Sequence, residues 1–293
     1  MKFGAIDIGT NAARLLVGEV ESEKDHSFVN KLSYTRIPLR LGEDVFEEGI
    51  ISEKKIQNFI KTIQAFRLIS EIFEVNAIRA VATSAMRDAQ NANEVIQKVK
   101  NETGIQIEVI SGQEEAEFIM SNFFLYEKPI KNPFLVVDVG GGSTEISYFS
   151  NGKRKASKSF EIGTIRLIKN KVKTGIWNEL STWINENIPL DVNLLIYGTG
   201  GNINKIHKLI GGKQKHPIST SDMSDFLVQL KPLSIRERID KFQLKPDRAD
   251  VIVPAIEIYL YVMNNLKTHE IFVPKVGLSD GVILDLHKRQ MTF

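Results

Sequence analysis

The chain has no cysteine, which removes disulfides, thiolate metal sites and a cysteine nucleophile from consideration. Its five histidines (His26, His207, His216, His269 and His287) show no metal-ligand spacing. No apolar run approaches the ~18 residues needed to cross a bilayer. Asp7 places a carboxylate where a secretory signal would keep its apolar core. No glycine turn is followed by Gly-Lys-Ser/Thr, so there is no Walker loop, and no Gly-x-Ser-x-Gly elbow occurs. Nine prolines and twenty glycines are too few for a fibrous or low-complexity protein. What remains is an ordinary globular balance, 42% hydrophobic and 25% charged over 293 residues. At roughly 100–200 residues per domain that length predicts two domains. The expectation is a soluble cytoplasmic protein with no membrane partner.

The net charge of +2 hides an asymmetry. Twelve Lys or Arg lie between Asn151 and His216 against four acidic residues, so this stretch carries +8 and the rest of the chain −6. Such a field raises the encounter rate with anions. Aromatics are not interleaved with the basic residues as a nucleic-acid groove needs, so no nucleic-acid partner is expected. A lysine-decorated surface is the commoner meaning of such a stretch.

Lys2–Asp7, Ala12–Val20 and Phe28–Ile37 read as three strands. Ser52 can cap a long helix with apolar positions Ile56, Phe59, Ile60, Ile63, Phe66, Ile69 and Phe73 at the 3.6-residue period. A strand at Ala77–Ala82, a helix near Asn91–Lys100, a strand at Ile105–Ile110 and a helix at Gly112–Tyr126 follow. This alternation places the first half in the α/β class. Lys128-Pro129 and Asn132-Pro133 punctuate the chain and set the boundary there, giving domains of 1–127 and 128–280. The second half is more helical, with strands at Asn193–Tyr197 and Glu270–Val273, and its last helix, 281–293, is expected to return to the first domain.

The opening pattern then recurs. Phe3-Gly-Ala-Ile-Asp7-Ile-Gly9-Thr-Asn, with Leu15-Leu-Val beyond it, has the form of Phe134-Leu-Val-Val-Asp138-Val-Gly140-Gly-Gly-Ser-Thr-Glu145-Ile. Each copy is an apolar strand ending in Asp-x-Gly, a tight turn and a returning strand, 131 positions apart. A repeat of half the chain length predicts two related domains facing one cleft. A third glycine turn, Gly198-Thr-Gly200-Gly201, follows the strand at Asn193–Tyr197.

A strand-end aspartate before a glycine turn suits phosphate chemistry. Glycine lets backbone N–H groups approach phosphate oxygens, and the carboxylate can hold hydrated Mg²⁺, which takes one or two carboxylates plus substrate phosphates. Either turn alone could be an ordinary hairpin; three together favour a polyphosphate gripped from both domains. Glu145 shares a strand face with Ser143 and Ser147. Its surroundings are either solvent, at a sheet edge, or a metal or water in a buried setting. In Ser111-Gly112-Gln113-Glu114-Glu115-Ala116-Glu117 a helix opens whose apolar stripe is Ala116, Ile119, Met120, Phe123 and Phe124. Glu114 points away from that stripe. Glu115 and Glu117 flank it, where partial burial suits a general base, and periodicity does not choose between them. Arg87, just after a strand, suits either a phosphate or an ion pair.

These residues resemble the exopolyphosphatase/guanosine pentaphosphate phosphohydrolase (Ppx/GppA) family, within the actin-like, sugar-kinase and Hsp70 ATPase superfamily. The motifs come in order: Ala5-Ile-Asp7-Ile-Gly-Thr-Asn11 with Arg14, Ala82-Thr-Ser-Ala-Met-Arg87-Asp, Ser111-Gly-Gln-Glu-Glu115-Ala, Asp138-Val-Gly-Gly-Gly-Ser-Thr-Glu145, Gly163-Thr-Ile-Arg166, Gly198-Thr-Gly-Gly201 and Arg248-Ala-Asp. The resemblance implies two ribonuclease H-like (actin-like ATPase) domains with an interdomain cleft. It implies hydrolysis of a terminal phosphoanhydride of polyphosphate or guanosine pentaphosphate, with Glu115 activating water and Glu145 as a second essential carboxylate. Asp7, Asp138 and Glu145 would hold Mg²⁺. Arg14 and Arg87 would anchor phosphate, and Gly9, Thr10, Asn11, Gly140, Gly141, Gly142, Ser143, Gly200 and Gly201 would cradle it. Two departures stand out. Ala12 lacks a hydroxyl usual in the first loop, and the chain resembles short members without further helical domains. A homodimer is the expectation by base rate. The competing readings are a kinase or ATPase of the same superfamily and a non-catalytic sensor of polyphosphate or guanosine nucleotides.

Overall fold

A computed structural model of the chain describes residues 1–23, 26–126, 132–189, 194–212 and 216–291. The backbone divides into two units, Met1–Lys128 with Val276–Phe293, and Pro129–Lys275. Each is built around one sheet, and the mixed α/β class read from the sequence holds for both.

The first unit opens with three antiparallel strands, β1 (Lys2–Ile8), β2 (Ala13–Glu23) and β3 (His26–Ile37). Helices α1 (Leu41–Glu48) and α2 (Glu53–Ile72) lead to β4 (Ala77–Ala82), and α3 (Ser84–Asp88) and α4 (Ala92–Thr103) to β5 (Ile107–Val109). Helix α5 (Gly112–Tyr126) closes this run. The sheet order is β3-β2-β1-β4-β5, with β4 parallel to both β1 and β5. Helix α2 forms because its apolar residues repeat at helical spacing. Ile56, Phe59, Ile60, Ile63 and Phe66 are buried, while Ile69 and Phe73 are half-buried. Each fully buried side chain of this kind contributes roughly 1.5–3 kcal/mol. Of the apolar stripe expected on α5, Ala116, Ile119 and Met120 are buried; the side chains of Phe123 and Phe124 lie outside the described residues.

The second unit repeats the opening. β6 (Phe134–Val139), β7 (Thr144–Ser150) and β8 (Lys153–Phe160) form an antiparallel meander. Helices α6 (Thr164–Ile168) and α7 (Ile176–Asn187) precede β9 (Leu195–Thr199), which runs parallel to β6 and gives the order β8-β7-β6-β9. Asn193, expected in this strand, lies outside the described residues. Beyond it come α8 (Gly200–Leu209), β10 (Ile218–Ser219), α9 (Thr220–Leu230), α10 (Ile235–Phe242), α11 (Pro246–Ala249), α12 (Ile252–Asn265) and β11 (Glu270–Ile271). Leu135, Val137, Val139, Ile146 and Tyr148 point to the core and meet Ile256, Tyr259 and Met263 of α12. Strand alternation then sends Asp138 and Glu145 to the opposite face.

The final helix, α13 (Leu278–Met291), belongs to the first unit. It packs on α5 so closely that a Cβ on Gly281 would stand 1.8 Å from the carbonyl oxygen of Phe118. Arg79 of β4 ties the same region together. Its guanidinium pairs with Asp285 at 2.5 Å and Glu108 at 2.7 Å and lies over the Phe118 ring. Lys31 of β3 pairs with the buried Asp280 at 2.8 Å.

Candidate active site

In the first unit the turn after β1 is closed by Gly9 N–H donating to Ala12 O at 3.0 Å. It is held from outside by Arg40 N–H on Asn11 O and Gly42 N–H on Thr10 O, both 3.0 Å. Arg40 adopts a left-handed backbone conformation (φ 52°) at the start of α1, and Lys55 donates to its carbonyl. The Lys55 ammonium also reaches Glu43 and Asp44, each at 3.0 Å. Neither Arg40 nor Lys55 was singled out by the sequence, because a turn held from behind leaves no periodic signal. Thr10 and Asn11 are buried, as is Asp7. Arg14 sits directly across from Asp7 in the β1–β2 register, and its Nη1 donates to Asp7 Oδ2 at 2.5 Å.

Arg87 and Glu115 come together in this unit. Arg87 lies on α3, just after β4, and its Nη1 donates to Ile110 O at 2.7 Å while standing 3.6 Å from Glu115 Oε2. Glu115 is in the first turn of α5, its side chain 15% exposed. The three glutamates left open by periodicity now differ. Glu114 accepts from the Ser111 N–H and Oγ–H, both at 2.8 Å, and Ser111 Oγ accepts from Glu114 N–H. Those Ser111 donors hold the Glu114 carboxyl below its ordinary range. Glu114 thus caps the helix. Glu117 is exposed and accepts from Gln113.

The second unit carries the same turn with different side chains. Gly140 N–H donates to Ser143 O at 2.9 Å, matching Gly9 and Ala12. Thr164 and Ile165 N–H donate to the carbonyls of Gly140 and Gly141, and Arg166 Nε donates to Gly142 O at 2.9 Å. Asp138 faces Glu145 directly across β6–β7, as Asp7 faces Arg14. β7 is an interior strand, and Glu145 is buried, 4% exposed. This removes the solvent-facing alternative. Its Oε1 accepts from Ser143 Oγ at 2.6 Å and Ser159 Oγ at 2.7 Å. Ser159 lies on β8, a polar strand whose residues carry no apolar alternation to announce it.

The third glycine turn joins β9 to α8 beside Asp138. Thr199 Oγ donates to Asp138 Oδ2 at 2.9 Å. Gly200 has φ 85°, and a Cβ there would stand 2.5 Å from Asp138 Oδ1, so both conformation and contact require glycine. Asn202 donates to Val139 O at 2.7 Å and accepts from Arg248 at 3.2 Å. Tyr259, in the core, accepts from Val139 N–H and donates to Thr199 O, bridging β6 and β9. Burial, with the charges of Asp138 and Glu145, pushes its phenol well above the usual range. Among the described residues no three His, Cys, Asp or Glu side chains gather as a metal cluster.

The sequence pattern of the Ppx/GppA phosphatase family matches residues 20–290. The chain belongs to that family. Among the proteins it resembles is a bifunctional 3-dehydroquinate synthase/phosphatase of Fusobacterium nucleatum, 27% identical over 96% of this chain and 46% of the relative. An exopolyphosphatase 1 of Mycobacterium bovis is 30% identical over 58% of this chain and 48% of its own length. The chain thus spans about half the length of these curated relatives. A crystal structure of an exopolyphosphatase from Cytophaga hutchinsonii matches with a TM-score of 0.82 at 25% identity, covering 98% of this chain and 97% of that one. The actin-like fold implied by the sequence motifs is therefore the fold of this Ppx/GppA member. No helix among the described residues is long and apolar enough to cross a membrane.

Proposed function

We propose that the chain is a phosphohydrolase that releases the terminal phosphate of inorganic polyphosphate, with the terminal 5′-phosphate of guanosine pentaphosphate as the alternative group released. The observation that carries this reading is the Arg87–Glu115 pair at the start of α5, a carboxylate and a guanidinium set 3.6 Å apart. Phosphoryl transfer asks little covalent chemistry of a protein; positioning and charge neutralisation dominate. In this reading Glu115 takes the proton of the attacking water at its carboxylate, and Arg87 offsets charge on the phosphate. The turns at Gly9–Asn11, Gly140–Ser143 and Gly200–Gly201 hold phosphate oxygens through backbone N–H groups.

Magnesium suits the second unit. Asp138 and Glu145 are hard oxygen donors opposite one another, and Thr199, Ser143 and Ser159 orient them by donating hydroxyl protons. One or two carboxylates are what Mg²⁺ takes alongside substrate phosphates. Bound there, the ion would neutralise charge on the phosphate oxygens. The first unit suits it poorly, since Asp7 Oδ2 is already engaged by Arg14.

Phosphorus NMR on the purified chain with Mg²⁺ tests this reading against the kinase and sensor alternatives. Orthophosphate should appear from polyphosphate, and guanosine pentaphosphate should be tried alongside it. Glu115→Gln should stop release. ATP turnover that survives Glu115→Gln would reject the proposal, as would tight polyphosphate binding without release by the wild type.

A further inference from the structure

The basic stretch of the second unit is not neutralised evenly. Lys158 pairs with Glu179 at 2.8 Å and Lys173 with Glu161 at 2.6 Å. Helix α8 differs. Its Ile203 and Ile206 enter the core, which turns Lys205 and Lys208 outward, Lys205 half-buried and Lys208 exposed. Neither lysine has a hydrogen bond or an ion pair with another described residue.

Helix geometry then sets Lys205 between two cations. Residues three apart on a helix have Cβ atoms about 5–6 Å apart, and like charges on such neighbouring positions repel. Lys208 stands three residues after Lys205. Asn202 stands three residues before it, and its Oδ1 accepts from Arg248 Nη1 at 3.2 Å, which brings the guanidinium of α11 to the other side. Burial, followed by the charges of Lys208 and Arg248, holds the Lys205 ammonium below the usual lysine range, so a larger share of it is neutral amine.

The cations that disfavour the ammonium also offer N–H donors to an anion. An amine beside an anion seat suits acyl transfer from a donor whose leaving group is that anion. In an acyl phosphate a single oxygen separates the carbonyl carbon from phosphorus, so a phosphate held by Lys208 and Arg248 sets the carbonyl against Lys205. A nucleotide-borne acyl thioester keeps its charged groups at the far end of a long arm, where a compact cluster cannot aim the carbonyl.

We infer that Lys205 is a modification site, acylated by small acyl phosphates whose phosphate is held by Lys208 and Arg248. The neutral Nζ of Lys205 adds to the carbonyl carbon and an amide C–N bond forms. The C–O bond to phosphate breaks, its electron pair leaves with the phosphate, and the proton shed by nitrogen goes to water. The amide carries no charge, so this face of α8 loses one cation and holds anions more weakly. The inference concerns groups outside the Arg87–Glu115 pair and does not rest on the hydrolase reading.

Acetyl phosphate in excess EDTA serves as the probe, with acetyl occupancy at each lysine of the full chain read by peptide mass spectrometry. Lys205 should be acetylated at least fivefold faster than Lys153 and Lys155, which are exposed on β8. Excess orthophosphate should slow Lys205 at least threefold and leave the other two unchanged. Acetic anhydride, which carries no anion, should show less than half the preference for Lys205. Lys208→Gln should slow acetylation of Lys205 by acetyl phosphate at least threefold; thermal melts check its fold, and the wild-type comparisons decide the matter if it is lost. Equal rates at Lys205, Lys153 and Lys155 overturn the inference, as does a preference for Lys205 that orthophosphate leaves unchanged or that acetic anhydride reproduces. No turnover is read, so the outcome is the same whether or not the chain releases phosphate from polyphosphate.

Discussion

Arg14 and Glu145 hold the same place in two copies of one strand pair, each directly opposite an aspartate, and they carry opposite charge. The backbone of the duplicated turn is preserved to its closing hydrogen bond, Gly9 to Ala12 and Gly140 to Ser143. What diverged is the side chain facing the aspartate, a guanidinium in one copy and a carboxylic acid in the other.

Gly200 controls Asp138 by contact. A methyl group there would press on the carboxylate at 2.5 Å and hold a residue at φ 85° where side chains are disfavoured. Gly200→Ala should lower kcat/KM for polyphosphate at least tenfold while costing about 1–3 kcal/mol in urea unfolding. Unchanged kinetics would mean that Asp138 does not need its observed position.

Gly281 sets two general effects against each other. Replacing a helix-interior glycine by alanine ordinarily stabilises by roughly 0.5–1 kcal/mol. Here the added Cβ would meet the Phe118 carbonyl of α5 at 1.8 Å. Gly281→Ala should therefore destabilise by at least about 3 kcal/mol, among the larger single-site effects. Denaturant unfolding reads the sign directly. Because α5 also carries Glu115, the activity of the folded fraction should fall too.

Asp280 supplies a pH dependence. Burial raises its carboxyl above the ordinary 3.8, against the opposing pull of Lys31 and the Gly277 N–H. An acid whose folded pKa is raised binds its proton more tightly in the folded state. Its favourable contribution is therefore lost as pH rises through the interval between the unfolded and folded values, which opens near 3.8 and lies above it. Relative to Asp280→Asn, the wild type should lose stability as pH is raised from about 4 towards 7 in urea titrations. A difference independent of pH would remove Asp280 as the cause.

Strand β8 offers a basic edge. Lys153 and Lys155 are exposed, Arg154 is beside them, and Ser159 at the other end of the strand donates to Glu145. Reversing the three charges at Lys153, Arg154 and Lys155 should raise KM for long polyphosphate several-fold more than for tripolyphosphate, and added salt should shrink the difference. An equal rise for both lengths would reduce the stretch to a general surface field.

The duplicated turns were legible because Asp-x-Gly after an apolar strand is a local device, read without knowing the fold. The strand faces were legible too: alternation put Glu145 opposite Ile146 and Tyr148, and the latter two do enter the core. Strand β8 was not, since Lys-Arg-Lys-Ala-Ser-Lys-Ser-Phe has no apolar alternation and is held by pairing with β7. Helix α10 escaped for a related reason: none of its residues is buried, and a Ser234–Glu237 capping box defines its start. Periodicity left Glu115 and Glu117 equivalent. The distinction came from α3, which brings Arg87 to Glu115 across 28 residues of chain and which no short-range pattern could supply.

Phosphate release from polyphosphate by the purified wild type and Glu115→Gln, measured by malachite green with Mg²⁺ present, bears most directly on the central claim. If Glu115 takes the proton of the attacking water, the wild type releases orthophosphate and Glu115→Gln loses kcat by about 10²–10⁴ with KM nearly unchanged. Equal rates in the two proteins, or no release by the wild type, would contradict it.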